Sequence, residues 1–157
     1  GYTSRFLTLT KGTGVINRLF HGYGKFEGEM DGRKNGALIS MSTGKAVAFA
    51  IFNLQARGEM FVTHNDPVYE GMIVGLTPKP GDMIINVMKG KQLTNMRTQG
   101  TDENVVLTPV RQMSIAEQLS MLNTDEALEI TPKSLRLRKA ILNPHDRKKS
   151  EKSGAAA

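Results

Sequence analysis

Glycine stands at positions 22, 24, 28, 32 and 36 of this chain, interleaved with Lys25, Glu27, Glu29, Asp31, Arg33 and Lys34. Glycine loses more conformational freedom on ordering than any other residue, so a stretch this rich in it builds neither helix nor strand without loss. Residues 21–36 therefore read as a connector that divides a short leading section from a longer main one. In the leading section Tyr2, Phe6 and Leu9 recur at helical spacing and Gly12-Thr13-Gly14 ends the pattern, which predicts a short helix over 1–11. Residues 15–20 predict a strand.

Beyond the connector the apolar stretches are short and punctuated. Residues 37–41 predict a strand closed by the turn Ser42-Thr43-Gly44. Residues 60–63, 68–76 and 83–88 predict three more, separated by His64-Asn65-Asp66-Pro67 and by Pro78-Lys79-Pro80-Gly81. Residues 46–57 are apolar on every side as far as Phe52, and their alanines, Leu54 and the closing Gly58 favour a buried helix over a strand. A polar segment without periodicity, 89–104, precedes a short strand at 105–108. Ser114 and Glu117 form a capping-box pair ahead of Ile115, Leu119 and Leu122, which predicts a helix. Thr131-Pro132 has the composition of an N-cap and first helical position, predicting a second helix that carries Leu135, Leu137, Ile141 and Leu142. The sum is an α+β fold, mainly antiparallel strands with a few packed helices, ending in a basic tail over 143–157 that is expected to be flexible.

With 157 residues and 39% hydrophobic content the chain can bury a core, and one domain with appendages is the expectation. The opening at Gly1, without an initiator Met, suggests a piece of something longer. No apolar run reaches the roughly 18 residues of a membrane span, and no segment resembles a secretion signal, so no membrane partner is expected. Cysteine is absent, which removes disulfides and thiolate chemistry. The net charge of +6 resides entirely in the last 26 residues, where eight basic side chains, Lys148 and Lys149 among them, face two acidic ones, Asp146 and Glu151. Such an excess serves either a polyanionic partner or solubility.

Catalytic patterns fail on inspection. A P-loop needs GxxxxGK[ST], but Gly44-Lys45 is followed by Ala46 and preceded by Ile39 where the first glycine belongs. Ser42 and Lys45 satisfy SxxK without its companion motifs, and Thr43-Gly44 is ordinary turn chemistry. The histidines, His21, His64 and His145, lack the short spacing of a metal motif. The segment KGKQLTNMRTQGTDEN is more informative. Lys89, Lys91 and Arg97 suit phosphates, while Asn95 and its Gln and Thr neighbours suit ribose hydroxyls and base edges. No aromatic residue lies in it, so base stacking is not indicated. A long solvated loop that happens to be basic is the competing account.

The segments RKNGALISMSTGKAVAFAIFNLQARGEMFV, VYEGMIVG, KGKQLTNMR, VVLTP and ITPKSLRLRK, in this order and spacing, closely resemble the C-terminal end of the BipA/TypA family of ribosome-binding translational GTPases, relatives of elongation factor G. The resemblance implies that residues 1–24 are the last helix and strand of a ferredoxin-like domain, leaving Phe6 and Ile16 frayed or docked elsewhere. Residues 25–142 would be the C-terminal domain peculiar to the family. It implies a non-enzymatic, monomeric, cytoplasmic fragment whose GTPase domain, with GTP and magnesium, lies elsewhere in a longer protein concerned with translation, ribosome biogenesis or stress response. Its partners would be the ribosome, large-subunit rRNA and A-site tRNA, met by a loop over 89–103 through Lys89, Lys91, Asn95 and Arg97. Arg33, Lys34, Lys148 and Lys149 are further candidates for RNA contact. The alternative is a protein-interaction or structural module with a basic solubility tail.

Overall fold

The computed structural model describes residues 2–26, 33–90 and 106–154. Helix α1 (Tyr2–Leu9) forms where the spacing predicts it. Residues 15–20 do not form the predicted strand, because a strand exists only through a ladder to a neighbour and none of the described residues pairs with them. Val15, Leu19 and Phe20 are exposed accordingly.

The centre of the fold is a four-stranded sheet in the order β3-β5-β1-β6, built from β1 (Ala37–Ser40), β3 (Glu59–Met60), β5 (Ile73–Leu76) and β6 (Met83–Ile85). β5 pairs antiparallel with both β1 and β3, whereas β6 runs parallel to β1. β2 (Gly44–Lys45) and β4 (Pro67–Val68) make a separate antiparallel pair. The predicted strand at 68–76 is thus two short ones, split by a turn in which Gly71 has φ +82. No side chain fits there: a Cβ would stand 2.7 Å from the Cα of Leu142.

Every residue of β1 and β5 is buried, rather than every second one. The reason is that both faces of the sheet are covered. Leu38 and Val74 point into a cluster with Ile51 and Leu54 of α2 (Ala48–Gln55), together with Val62, Val68 and Val87. Ala37, Ile39 and Ile73 point the other way, towards Leu137, Leu128, Met113 and Leu122. The first cover is the predicted apolar helix, held at its start by His64, whose Nδ1 accepts from the Ala48 amide at 3.2 Å.

The second cover corrects the sequence expectation. In place of a helix from Thr131-Pro132 the chain forms a hairpin of β7 (Glu126–Ile130) and β8 (Leu135–Lys139), with Leu128 opposite Leu137. Thr131 acts as a turn residue instead: its Oγ1 accepts from the Ser134 amide at 2.9 Å, and its amide donates to the Ser134 carbonyl at 2.9 Å. The same Oγ–amide chemistry that caps a helix also closes a hairpin. The hydroxyl of Tyr69, which follows β4, ties the hairpin to that stretch of chain by donating to Glu129 at 2.5 Å. Burial together with that carboxylate pushes the phenol up to about 12.

Helix α3 (Ile115–Ser120) begins with the predicted capping box, both reciprocal bonds between Ser114 and Glu117 being present. The tail expected to be flexible is helical over α4 (Pro144–Gly154), where Asn143 caps the amide of His145 at 2.8 Å. Residues 106–108 show no strand, and residue 105 lies outside the described residues.

Candidate functional site

The ionic centre of the molecule lies where the connector re-enters the fold. Arg33 forks onto Glu126 at the start of β7, with Nη2 to Oε1 at 2.7 Å and Nη1 to Oε2 at 3.2 Å. Its remaining donors reach the carbonyls of Asn35 at 2.6 Å and Met121 at 3.2 Å. Lys139, at the end of β8, donates through one buried ammonium to Asp82 at 2.5 Å, Asp125 at 2.6 Å and Glu126 at 3.1 Å. The Glu126 side chain has no exposed surface at all. Three carboxylates thus meet the Lys139 ammonium, and one of them, Glu126, is shared with Arg33.

Burial penalises the charge on both Lys139 and Asp82, but their mutual bonds win. The Asp125 and Asp82 carboxylates hold Lys139 above its ordinary value. The ammonium and the Ala37 amide hold Asp82 below the usual carboxylate range. Lys139 and Asp82 therefore keep their charges across the neutral range, and the network ties four separate stretches of chain together.

Four members of this network, Arg33, Asp82, Asp125 and Lys139, line a cleft of about 470 Å³ between α4 and the starting ends of β1 and β6. Lys34, Arg147 and Lys148 line its rim, with Glu151 as the acidic member. Arg147 is partly spent, donating to the carbonyls of Ile141 and Leu142 at 3.0 and 2.6 Å, which holds α4 against the end of β8. Lys34 and Lys148 are exposed, and neither has an ion-pair partner among the described residues.

The candidates from sequence thus separate into three groups. Arg33, Lys34 and Lys148 meet at one cleft although they lie far apart in the chain, but the guanidinium of Arg33 is committed to Glu126. Lys149 is exposed on α4 without lining the cleft. Lys89 stands exposed beyond the far end of β6, where Met41 bonds to Ile85 and Val47 to Val87, whereas Asp82 precedes the near end. The structure therefore does not bring Lys89 to the cleft. Lys91, Asn95 and Arg97 lie outside the described residues. From sequence Asp125 and Glu126 read as solvated surface charge, which the full burial of the Glu126 side chain overturns, and Asp82 and Lys139 are not singled out at all, since nothing in the spacing announces that the four converge.

A second concavity, of about 750 Å³, separates the 110–118 segment from the hairpin and is lined by Phe61, Met72, Met113, Ile115 and Leu135. Gln118 lies against it with its Oε1 buried and unpaired. Among the described residues no group of three His, Cys, Asp or Glu side chains is arranged to hold a metal ion, and no helix is long and apolar enough to cross a membrane.

Residues 35–144 match the family described as the TypA/BipA C-terminal domain. Among curated proteins, the chain is 48% identical over 153 residues to the large ribosomal subunit assembly factor BipA of Buchnera aphidicola subsp. Schizaphis graminum, covering 97% of this chain and 25% of that protein. The proteins of the same name from Salmonella typhimurium and Escherichia coli K12 are each 45% identical, over 97% and 98% of this chain and 25% of their own length. The chain thus spans a quarter of the length of these relatives.

Proposed function

This chain belongs to the TypA/BipA family, and from that premise we propose that it is the ribosome-contacting C-terminal module of a cytoplasmic translational GTPase. In this reading the basic loop over 89–103 approaches large-subunit rRNA and A-site tRNA, while GTP and magnesium are bound by another domain of the whole protein. The observation that carries the reading is the match of residues 35–144 to the TypA/BipA C-terminal domain, joined by the likeness over 153 residues to relatives named as large ribosomal subunit assembly factors. The charge distribution agrees with it. Lys89 at the root of the loop and Lys148 and Lys149 on α4 are exposed cations on a scaffold whose interior charges are already paired.

Binding to rRNA draws its affinity from phosphate contacts that release counterions, so each contact removed subtracts about 0.7 to 0.9 from the log–log salt slope. Co-sedimentation with ribosomes at low and moderate salt tests the reading. The Lys91→Ala/Arg97→Ala variant should bind more weakly and with a shallower salt dependence while keeping its far-UV circular dichroism. Binding unchanged by that double substitution would remove the loop from the interface.

A further inference from the structure

We propose that the cleft between α4 and the starts of β1 and β6 is a second RNA-contact site of this chain, one that takes a single ribonucleotide unit of an unpaired strand. The inference rests on the ribosome-binding reading above and adds to it a place and a chemistry. Its backbone phosphates are met by Lys34 and Lys148, and a ribose hydroxyl by Asp125.

The distribution of sign within the cleft carries the argument. Of the residues that line the cleft, Arg33 and Lys139 face Asp82 and Asp125, two positive charges against two negative ones, with Glu126 buried behind them. A phosphate gains no net attraction from such a floor. At the rim Lys34 and Lys148 are exposed, come from opposite sides of the opening and have no ion-pair partner among the described residues. An anionic group is therefore held at the rim, while the floor offers hydrogen-bond acceptors. An ionised carboxylate only accepts. Asp125, with 57% of its side chain exposed, spends Oδ2 on Lys139 and keeps Oδ1 available. The ligand that matches is anionic outside and a hydrogen-bond donor inside, as a ribose with its 2′-hydroxyl between two phosphates is. DNA lacks that hydroxyl. A volume of about 470 Å³ accommodates a nucleotide-sized group and not a duplex.

The site is also built to hold its shape. Arg147 pins α4 through the Ile141 and Leu142 carbonyls, and the Arg33–Glu126 fork fixes the chain that presents Lys34. Lys89 leaves from the other end of β6 and does not line the cleft, so the two are separate candidate contacts. Two such contacts on one RNA surface reinforce each other through effective concentration.

The test measures fluorescence anisotropy of a labelled unstructured 10-nucleotide RNA, and of the DNA of the same sequence, titrated with the full 157-residue chain over a salt series. Lys34→Ala/Lys148→Ala should weaken RNA binding about tenfold at low salt and reduce the salt slope by about 1.4. Asp125→Ala should narrow the preference for RNA over DNA and leave the slope unchanged. Lys133→Ala/Lys152→Ala, which removes the same charge away from the cleft, should have a smaller effect than the cleft pair. An equal loss in that control, an unaltered Kd in the cleft variant, or equal binding of RNA and DNA by the unsubstituted chain overturns the proposal. Ribosome co-sedimentation of the same proteins separates this failure from failure of the functional reading. A cleft variant that pellets normally beside a Lys91→Ala/Arg97→Ala variant that does not would sink the cleft and leave the loop standing.

Discussion

Replacing Glu126 by alanine tests whether the ionic centre holds the fold together. In the folded protein the Glu126 carboxylate is fully buried, accepts both arms of Arg33, accepts from Lys139, and accepts from the Asn123 amide at 3.1 Å. Removing one partner of a buried ion pair costs about 3 to 5 kcal/mol, because the remaining charge stays desolvated. The low end applies here. Lys139 keeps Asp82 and Asp125, and Arg33 keeps two backbone carbonyls. The stranded Asn123 amide adds up to about 1 kcal/mol. We therefore expect a loss of about 3 to 4 kcal/mol in urea unfolding at pH 7 with an unchanged m value, and a fall in Tm of about 10 °C. Arg111→Ala is the control, since its partners Glu117 and Glu59 are partly exposed at 3.2 and 3.7 Å. It should cost no more than about 1 kcal/mol. A Glu126→Ala loss as small as that of the control would refute the reasoning, for it would mean that Arg33 recovers its solvation and that the network does not constrain the connector.

The same network sets the pH range of stability. Asp82 is held below its unfolded value, so its contribution is present above about pH 4 and lost as pH falls through the folded value; Lys139 is held above its own, so its contribution is present below about pH 10 and lost as pH rises through the folded value. Urea midpoints should accordingly be level between those limits and fall at both ends, and Lys139→Met should flatten both falls. Ser114→Ala removes the reciprocal cap of α3 and should cost about 1 kcal/mol, with hydrogen exchange accelerating at the first amides of that helix before elsewhere. Unaltered exchange there would show that packing alone holds α3.

The elements legible in the sequence were those that local chemistry decides. The capping box at Ser114 and Glu117 needs only two side chains three residues apart, and α2 lays Ala50, Ile51 and Leu54 on the sheet while Phe52 stays exposed. The hairpin was missed for a physical reason: Thr131-Pro132 offers the same hydroxyl to a helix start and to a turn, and what decides between them is Leu128 meeting Leu137 against Ile73 of a distant strand. The alternation of Leu135, Leu137 and Lys139 was the signal that favoured a strand. A proline at the first helical position is found twelve residues later, at Pro144, where Asn143 supplies the cap and the predicted tail becomes α4.

That displacement matters for the site. Read as a tail, Lys148 and Lys149 are charge without a place; folded into α4, Lys148 lines the same cleft as Lys34, together with Asp82 and Asp125. The cleft exists only because β8 delivers Lys139 to Asp82 and Asp125 and because Arg147 then holds α4 at the strand's end. Local composition therefore identified several of the cations, while long-range pairing decided which are spent inside the protein and which stand free at its surface. Arg33 and Lys34 show the distinction most directly: adjacent in sequence and alike in charge, one is buried against Glu126 as part of the scaffold and the other is left at the rim to meet a ligand.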